Sequence, residues 1–368
     1  MINPLVRLGQ LGQSPWYDFI TRDLVTSGEL TRLIRDDGLL GMTTNPTIFE
    51  KAIAGSDVYD ADVRRLAGAG HSPAEIVEAV AVADVRAACD LFAPVYARTH
   101  GRDGLVSIEV SPALAHDTAG TIREAERLWS AVDRPNAMIK IPGTREGLPA
   151  VTHCIGAGIN VNVTLLFAVE RYREVAAAYQ DGLEVRAARR LPIERIASVA
   201  SFFVSRVDTM VDPMLARIGG RALELQGGTA IANAALAYGA FRRLTAAPRW
   251  TALAARGARP QRPLWASTST KDPRYADLHY VEPLIAPDTV NTLPPETFAA
   301  YRDHGRPEAR IDAELAAADA RLAELARVGV DLAEVTARLE AEGVTKFAAS
   351  YDSLLRSIES KMEELAVK

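Results

Sequence analysis

Cysteine is scarce in this chain, with two in 368 residues. Cys89 and Cys154 form no metal-binding or redox spacing, which excludes a disulfide scaffold and points to a reducing compartment. Long apolar runs are missing too. No stretch reaches the length of ~18 residues that a membrane helix needs, and the N-terminus has no basic-then-apolar leader pattern, so an unexported, cytoplasmic protein with no membrane partner is expected. There is no excess of positive charge: the net charge of -5 offers no general attraction for nucleic acid. The one basic run, "VRAARR" (185–190), reads as a solvated helix face. His71, His100, His116, His153, His279 and His304 are too dispersed for a ligand cluster, and no metal is expected. "GAGINV" (156–161) has its glycines before a strand, where a dinucleotide fingerprint has them after one, and "STST" (267–270) lacks a Gly-rich phosphate loop.

What remains is a balanced globular composition, 48% hydrophobic and 24% charged. Helical patterns alternate with short apolar runs throughout. "SPAE" (72–75) is a capping box, with Ser72 as the cap, Pro73 in the first turn and Glu75 reaching back. "NPTIFEKAIAG" (45–55) has Asn45 as cap, Pro46 in the first turn and Gly55 as stop. Further helices are predicted over 119–132, 166–182, 204–217, 229–246, 295–303, 309–328 and 345–366. Strands are predicted at 14–19, 39–45, 105–110, 137–142, 159–164, 197–203, 264–268 and 289–293. Eight strands, with helices between them and no Gly-, Ser- or Pro-rich linker, predict an α/β fold. We expect one (β/α)8 TIM barrel over 1–368, with additional N- and C-terminal helices and a C-terminal helical extension over about 305–368. The last helix carries Phe347, Tyr351, Leu354, Leu355, Ile358 and Met362 on one stripe, which would suit padding of the barrel or a homodimer contact equally.

Alternation within the strands points to a site. Lys140 lies between Ile139 and Ile141, Glu109 opposes Ile108 and Val110, and Asn162 and Thr164 oppose Val161 and Val163. Strands under helices rarely face water, so the polar faces should line the barrel axis near its C-terminal mouth. Asp18, Asn45 and Ser201 fall at other strand ends. Alone, each has an ordinary explanation: Asn45 can cap its helix, and Ser201 and Thr164 suit any strand. Together they converge on one mouth. A buried lysine among hydroxyls and carboxylates, without metal ligands, fits imine chemistry on a carbonyl substrate. A free lysine near pKa 10.4 is only about 0.04% neutral at pH 7, and about 4 kcal/mol of bias would bring a lysine to ~7.5. A carboxylate ~5 Å away would oppose this by about 3 kcal/mol at an effective dielectric of ~20. Glu109 is therefore expected to act at one remove, through a water shared with Thr164, and not to pair with Lys140.

"SPWYDFITRDL" (14–24), "GMTTNPTIFEKAI" (41–53), "VSIEV" (106–110), "MIKIPGT" (138–144), "INVNVTLLF" (159–167), "ASFFVSRVD" (200–208), "WASTSTKDP" (265–273) and "DTVNTLPPET" (288–297) together resemble the transaldolases. The length and "STSTK" are similar to a longer bacterial branch. The resemblance implies a cofactor-free enzyme moving dihydroxyacetone between phosphorylated sugars through a Lys140 Schiff base. It implies Asp18 as the base at the C4 hydroxyl and Glu109 with Thr164 around a catalytic water. Asn45, Asn162 and Ser201 would hold hydroxyls, Phe203 would line the site and Arg206 would bind phosphate. The family's second phosphate-binding arginine is missing from "ASTSTK", and Lys271 is placed there instead. A Schiff-base aldolase releasing free dihydroxyacetone, or an idle sugar-phosphate-binding barrel, are the alternatives.

Overall fold

The computed structural model describes residues 3–367. Residues 1, 2 and 368, which the expected domain span includes, lie outside the described residues. Eight parallel strands close into a barrel in chain order: β1 Gln13–Asp18, β2 Gly41–Thr43, β3 Leu105–Glu109, β4 Ala137–Pro142, β5 Val161–Leu166, β6 Ser198–Phe203, β7 Arg262–Ala266 and β8 Thr289–Leu293. Pairing of β1 with β8 completes the ring. All eight expected strands are present, β7 starting two residues early. Its first residue, Arg262, is a charge that a sequence reader leaves outside a strand, but here it is buried and paired.

The helices follow from local chemistry. Ser72 and Glu75 form the reciprocal capping box at the start of Pro73–Arg98, a motif typically worth ~1 kcal/mol. Asn45 caps Pro46–Ala54 by accepting from the Ile48 N–H at 3.1 Å. Helices at Pro4–Gln10, Arg22–Thr26, Glu29–Asp36 and Asp60–Gly68 surround the N-terminal strands. The largest departure is the last helix, which runs Leu332–Val367 and so begins well before residue 345. Gly343 sits inside it; one interior glycine costs only ~1 kcal/mol, and the flanking "LAEVTARLEAE" is rich in helix formers. The missing side chain has a use: a Cβ at Gly343 would come within 3.0 Å of the Leu165 side chain on β5. The C-terminal helix thereby lies directly on the barrel. Its stripe residues Phe347, Leu354 and Ile358 are buried within the same chain, so the helix pads the barrel.

The end of the barrel away from the mouth is closed by Trp16 and a polar knot. Gly41 makes room for the Trp16 indole, which a Cβ there would meet at 2.4 Å. Arg262 is paired with Asp103 at 2.9 Å and donates to Ser14 Oγ at 2.7 Å. Ser14 and the Trp16 N–H in turn donate to Asp103. Every member of this buried network has a partner, as low-dielectric surroundings demand.

Candidate active site

Strand register builds the site. Glu109 pairs with Lys140 across β3 and β4, and Lys140 pairs with Asn162 across β4 and β5. The three side chains therefore form a row across adjacent parallel strands, ~4.8 Å apart. Asp18 and Thr43 are register partners at the ends of β1 and β2, and the Thr43 hydroxyl donates to the Asp18 carboxylate at 2.7 Å. A cleft of about 380 Å³ opens over these strand ends. It is lined by Asp18, Asn45, Lys140, Thr164, Ser201, Phe203, Arg206 and Lys271 from the expected set.

Lys140 is 5% exposed. Its ammonium donates to the Thr44 carbonyl at 3.0 Å and lies 3.1 Å from Glu109 Oε2. The expectation that Glu109 stands off from Lys140 is therefore wrong: at 3.1 Å nothing fits between them. The reason is register: side chains paired on neighbouring strands and facing the same way lie within reach of each other, and Lys140 turns to Glu109 on β3 while Asn162 on β5 turns to Ser107 and Ser201. The earlier electrostatic objection also treated both groups as permanently charged. In a buried pair, moving the proton from ammonium to carboxylate removes both desolvation costs at once. Burial lifts the Glu109 carboxyl above the ordinary carboxylate range, against the pull of Lys140. Neither Glu109 oxygen receives a well-aligned hydrogen bond, and the buried Thr164 hydroxyl also has no partner. Burial likewise lifts Asp18, with Lys140, Thr43 and Arg206 opposing.

The other expected residues fall in two layers. Asn162 is buried under the cleft and does not line it; its amide donates to Ser107 Oγ at 3.0 Å and its carbonyl accepts from Ser201 Oγ at 2.7 Å. Asn45 spends its side-chain oxygen on the helix cap while lining the cleft. Phe203 packs 5.3 Å from the Phe167 ring and carries the Arg206 guanidinium over its face at 5.0 Å. Arg206 has no ion pair or hydrogen bond among the described residues, and burial pulls its pKa below the ordinary arginine value. Lys271 stands exposed on the rim and donates to Ser269 Oγ at 2.7 Å.

Of the lining residues that were not foreseen, Lys51, Thr292 and Phe347 bear most on the site. Lys51 adds a cation from the Pro46–Ala54 helix; its place inside "NPTIFEKAI" was the available signal. Thr292 on β8 meets the Thr43 hydroxyl at 2.6 Å. Phe347 comes from the C-terminal helix, and the apolar stripe gave no indication of which residue would reach the mouth. Among the described residues no three His, Cys, Asp or Glu side chains are grouped to hold a metal ion.

A backbone irregularity sits beside the site. The register of β5 against β6 shifts between Val163 and Leu166, and Leu165 takes φ +61°. That left-handed conformation costs a leucine about 1–2 kcal/mol. It falls immediately after Thr164, where strain commonly gathers at functional sites.

Comparison with known proteins matches residues 15–358 to the family described as transaldolase/fructose-6-phosphate aldolase. A protein named transaldolase from Acidothermus cellulolyticus is 52% identical over 364 residues, covering 99% of this chain and 98% of that protein. One from Parafrankia is 50% identical over 368 residues, spanning all of both chains. A third, from Trichodesmium erythraeum, is 46% identical over 374 residues, covering 99% of this chain and 98% of that protein.

Proposed function

The chain belongs to the transaldolase/fructose-6-phosphate aldolase family, and from that premise we propose that it works as a transaldolase on phosphorylated sugars. It takes a dihydroxyacetone unit from sedoheptulose 7-phosphate and passes it to glyceraldehyde 3-phosphate, giving erythrose 4-phosphate and fructose 6-phosphate in the non-oxidative pentose phosphate pathway. Lys140, its proton passed to Glu109, attacks C2 of the ketose. Glu109 and Thr164, whose buried side-chain oxygens lack hydrogen-bond partners, hold the water that leaves and returns as the imine forms and breaks. Asp18 takes the C4 hydroxyl proton while the C3–C4 bond breaks, and the electron pair is held as the enamine on Lys140. Asn45 and Ser201 hold the hydroxyls of the three-carbon unit, with Asn162 orienting Ser201 from below. Arg206 and Lys271 bind the phosphate, and Lys51 adds a third cation at the same mouth. Imine chemistry of this kind needs no cofactor, and none is assigned. We place the protein in the cytoplasm, a reading supported by Cys89 and Cys154, both buried free thiols.

The contact of Lys140 with a buried, otherwise unsatisfied carboxylate carries this reading. Borohydride reduction in the presence of fructose 6-phosphate, followed by peptide mapping, should label Lys140 and leave Lys140→Met unlabelled and inactive. A label elsewhere would remove Lys140 from the role. Rapid release of dihydroxyacetone from fructose 6-phosphate alone would replace transfer with the aldolase reading.

A further inference from the structure

The C-terminal helix contributes a ring to the cleft that the mechanism above does not use. Phe347 is 6% exposed although it lines the cleft. Its ring centroid lies 5.7 Å from Lys140 Nζ and 5.9 Å from the Arg206 guanidinium carbon. One aromatic ring thus lies within 6 Å of both the imine lysine and the phosphate-end arginine. One turn further along, Tyr351 joins Leu354 in lining a second, smaller cavity of about 60 Å³ that also touches Glu109. These residues follow an i, i+4, i+7 spacing on one helix face. The same helix face thus lines the cleft through Phe347 and, through Tyr351 and Leu354, the small cavity that Glu109 also lines.

This placement is built in. Gly343, one turn before Phe347, permits the close approach to Leu165. Ser350 accepts from Thr47 at 2.9 Å, and Ser353 donates to Glu50 at 2.5 Å. Lys361 pairs with Asp60 at 2.7 Å and donates to the Ser56 carbonyl at 2.6 Å. Two of these four contacts reach the helix that Asn45 caps and two reach the chain just beyond it, so the C-terminal helix is clamped to residues 47–60.

We propose that Phe347 is a specificity-determining residue that keeps water from the Lys140-bound dihydroxyacetone, and so sets how often that unit is transferred and how often it is released. The inference rests on the transaldolase reading. After the first aldehyde leaves, the enamine must outlast the exchange of one aldehyde for another. Release requires C3 to take a proton from water, which recovers one from the Asp18 carboxyl. One water then hydrolyses the C2=N bond, balancing the water lost when the imine formed, and frees dihydroxyacetone and the Lys140 amine. Hydrolysis also ends a transfer, so protonation of C3 is the step that separates release from transfer, and an apolar ring over this end keeps water from C3. Its negative face also favours the cationic iminium over a free carbonyl.

The test compares wild type with Phe347→Ala and Phe347→Leu. Transfer is measured with fructose 6-phosphate plus erythrose 4-phosphate, and release with fructose 6-phosphate alone. The release-to-transfer ratio of Phe347→Ala should rise about tenfold or more, with Phe347→Leu close to wild type because it restores an apolar cover. Lys361→Met, remote from the cleft, should loosen the helix and raise the ratio by a smaller factor; it serves in place of Phe347→Ala if that variant does not fold. Equal falls in both rates with an unchanged ratio, in whichever variant folds, would reduce Phe347 to a packing residue and overturn the proposal. Borohydride labelling of Lys140 is followed in parallel. If wild type is not labelled, the transaldolase reading fails; if it is labelled and the ratio does not move, only the present inference fails.

Discussion

Replacing Glu109 with Gln tests the contact that strand register imposes. Glu109 Oε2 lies 3.1 Å from Lys140 Nζ, with side chains only 4% and 6% exposed. Two unit charges at that separation attract by about 5 kcal/mol at an effective dielectric of ~20, and removing two ions from water costs several kcal/mol each. The ordinary gap between lysine and carboxylate pKa values favours the charged pair by about 8 kcal/mol more, so the proton crosses to Glu109 only to the extent that desolvation of both ions offsets that gap as well. Gln keeps the volume and the polarity but cannot accept that proton. Loss of a positioned acid–base group typically costs 10²–10⁴-fold, and here it should fall on carbinolamine formation and dehydration. Rapid-quench borohydride trapping with fructose 6-phosphate isolates those steps from C–C cleavage. In wild type the trapping rate should rise with pH through an ionisation above the ordinary carboxylate range, because burial lifts Glu109; in Glu109→Gln that dependence should vanish. Glu109→Asp, shorter by one carbon–carbon bond, should fall between the two. Trapping by Glu109→Gln within about threefold of wild type at every pH would refute the direct proton path.

Three further outcomes are expected. Asp18→Asn should still be labelled at Lys140 by borohydride with fructose 6-phosphate, but should lose transfer by about 10²–10⁴-fold, since only the C4 hydroxyl base is removed; equal loss of both would refute that division of labour. Lys271→Met should raise KM for the phosphorylated ketose severalfold with little change in kcat, as expected for an exposed cation acting on the ground state; an unchanged KM would remove Lys271 from the phosphate site. Asp208 is buried against Tyr280 and the Ala230 N–H, and burial pushes its carboxyl from 3.8 up to about 7. The folded chain then holds a proton that the unfolded chain loses near pH 4, so stability should fall as pH rises from about 4 to about 7, by at most about 4 kcal/mol. Urea melts of Asp208→Asn should lack that slope; a parallel slope would show that other groups set it.

Much of the barrel was legible because each strand is short, apolar on one side and bounded by turn or cap residues. The polar members of β4 and β5 announced the site by breaking that pattern. What periodicity cannot supply is register between strands distant in sequence. Glu109 and Lys140 were each identified, yet their contact depends on the β3–β4 alignment, and a plausible charge argument separated them. Asn162 was expected to touch substrate, but its Cα alignment with Lys140 accompanies a position one layer lower, bonded to Ser107 and Ser201. Phe347 was seen only as one apolar residue in a stripe. Its role emerges from the path of a helix that starts at Leu332 and crosses the mouth, a long-range packing outcome with no local signal.

The two ends of the barrel show why the site lies where it does. At the closed end, Arg262, Asp103, Ser14 and Trp16 satisfy one another. Losing one partner of such a buried charge pair typically costs 3–5 kcal/mol, so this end is specified for stability. At the mouth, Glu109 keeps two carboxylate oxygens and Thr164 a hydroxyl without well-aligned partners, Arg206 makes no direct ion pair or hydrogen bond among the described residues, and Leu165 holds a strained backbone. Each of these features lowers stability with no structural return. A ketose supplies what the mouth lacks: a carbonyl for Lys140, water and hydroxyls for Glu109 and Thr164, and a phosphate for Arg206. Substrate should therefore raise the thermal midpoint of wild type, and the gain should shrink in Arg206→Met. An equal gain in both would mean that the unpaired guanidinium is not held in reserve for the phosphate.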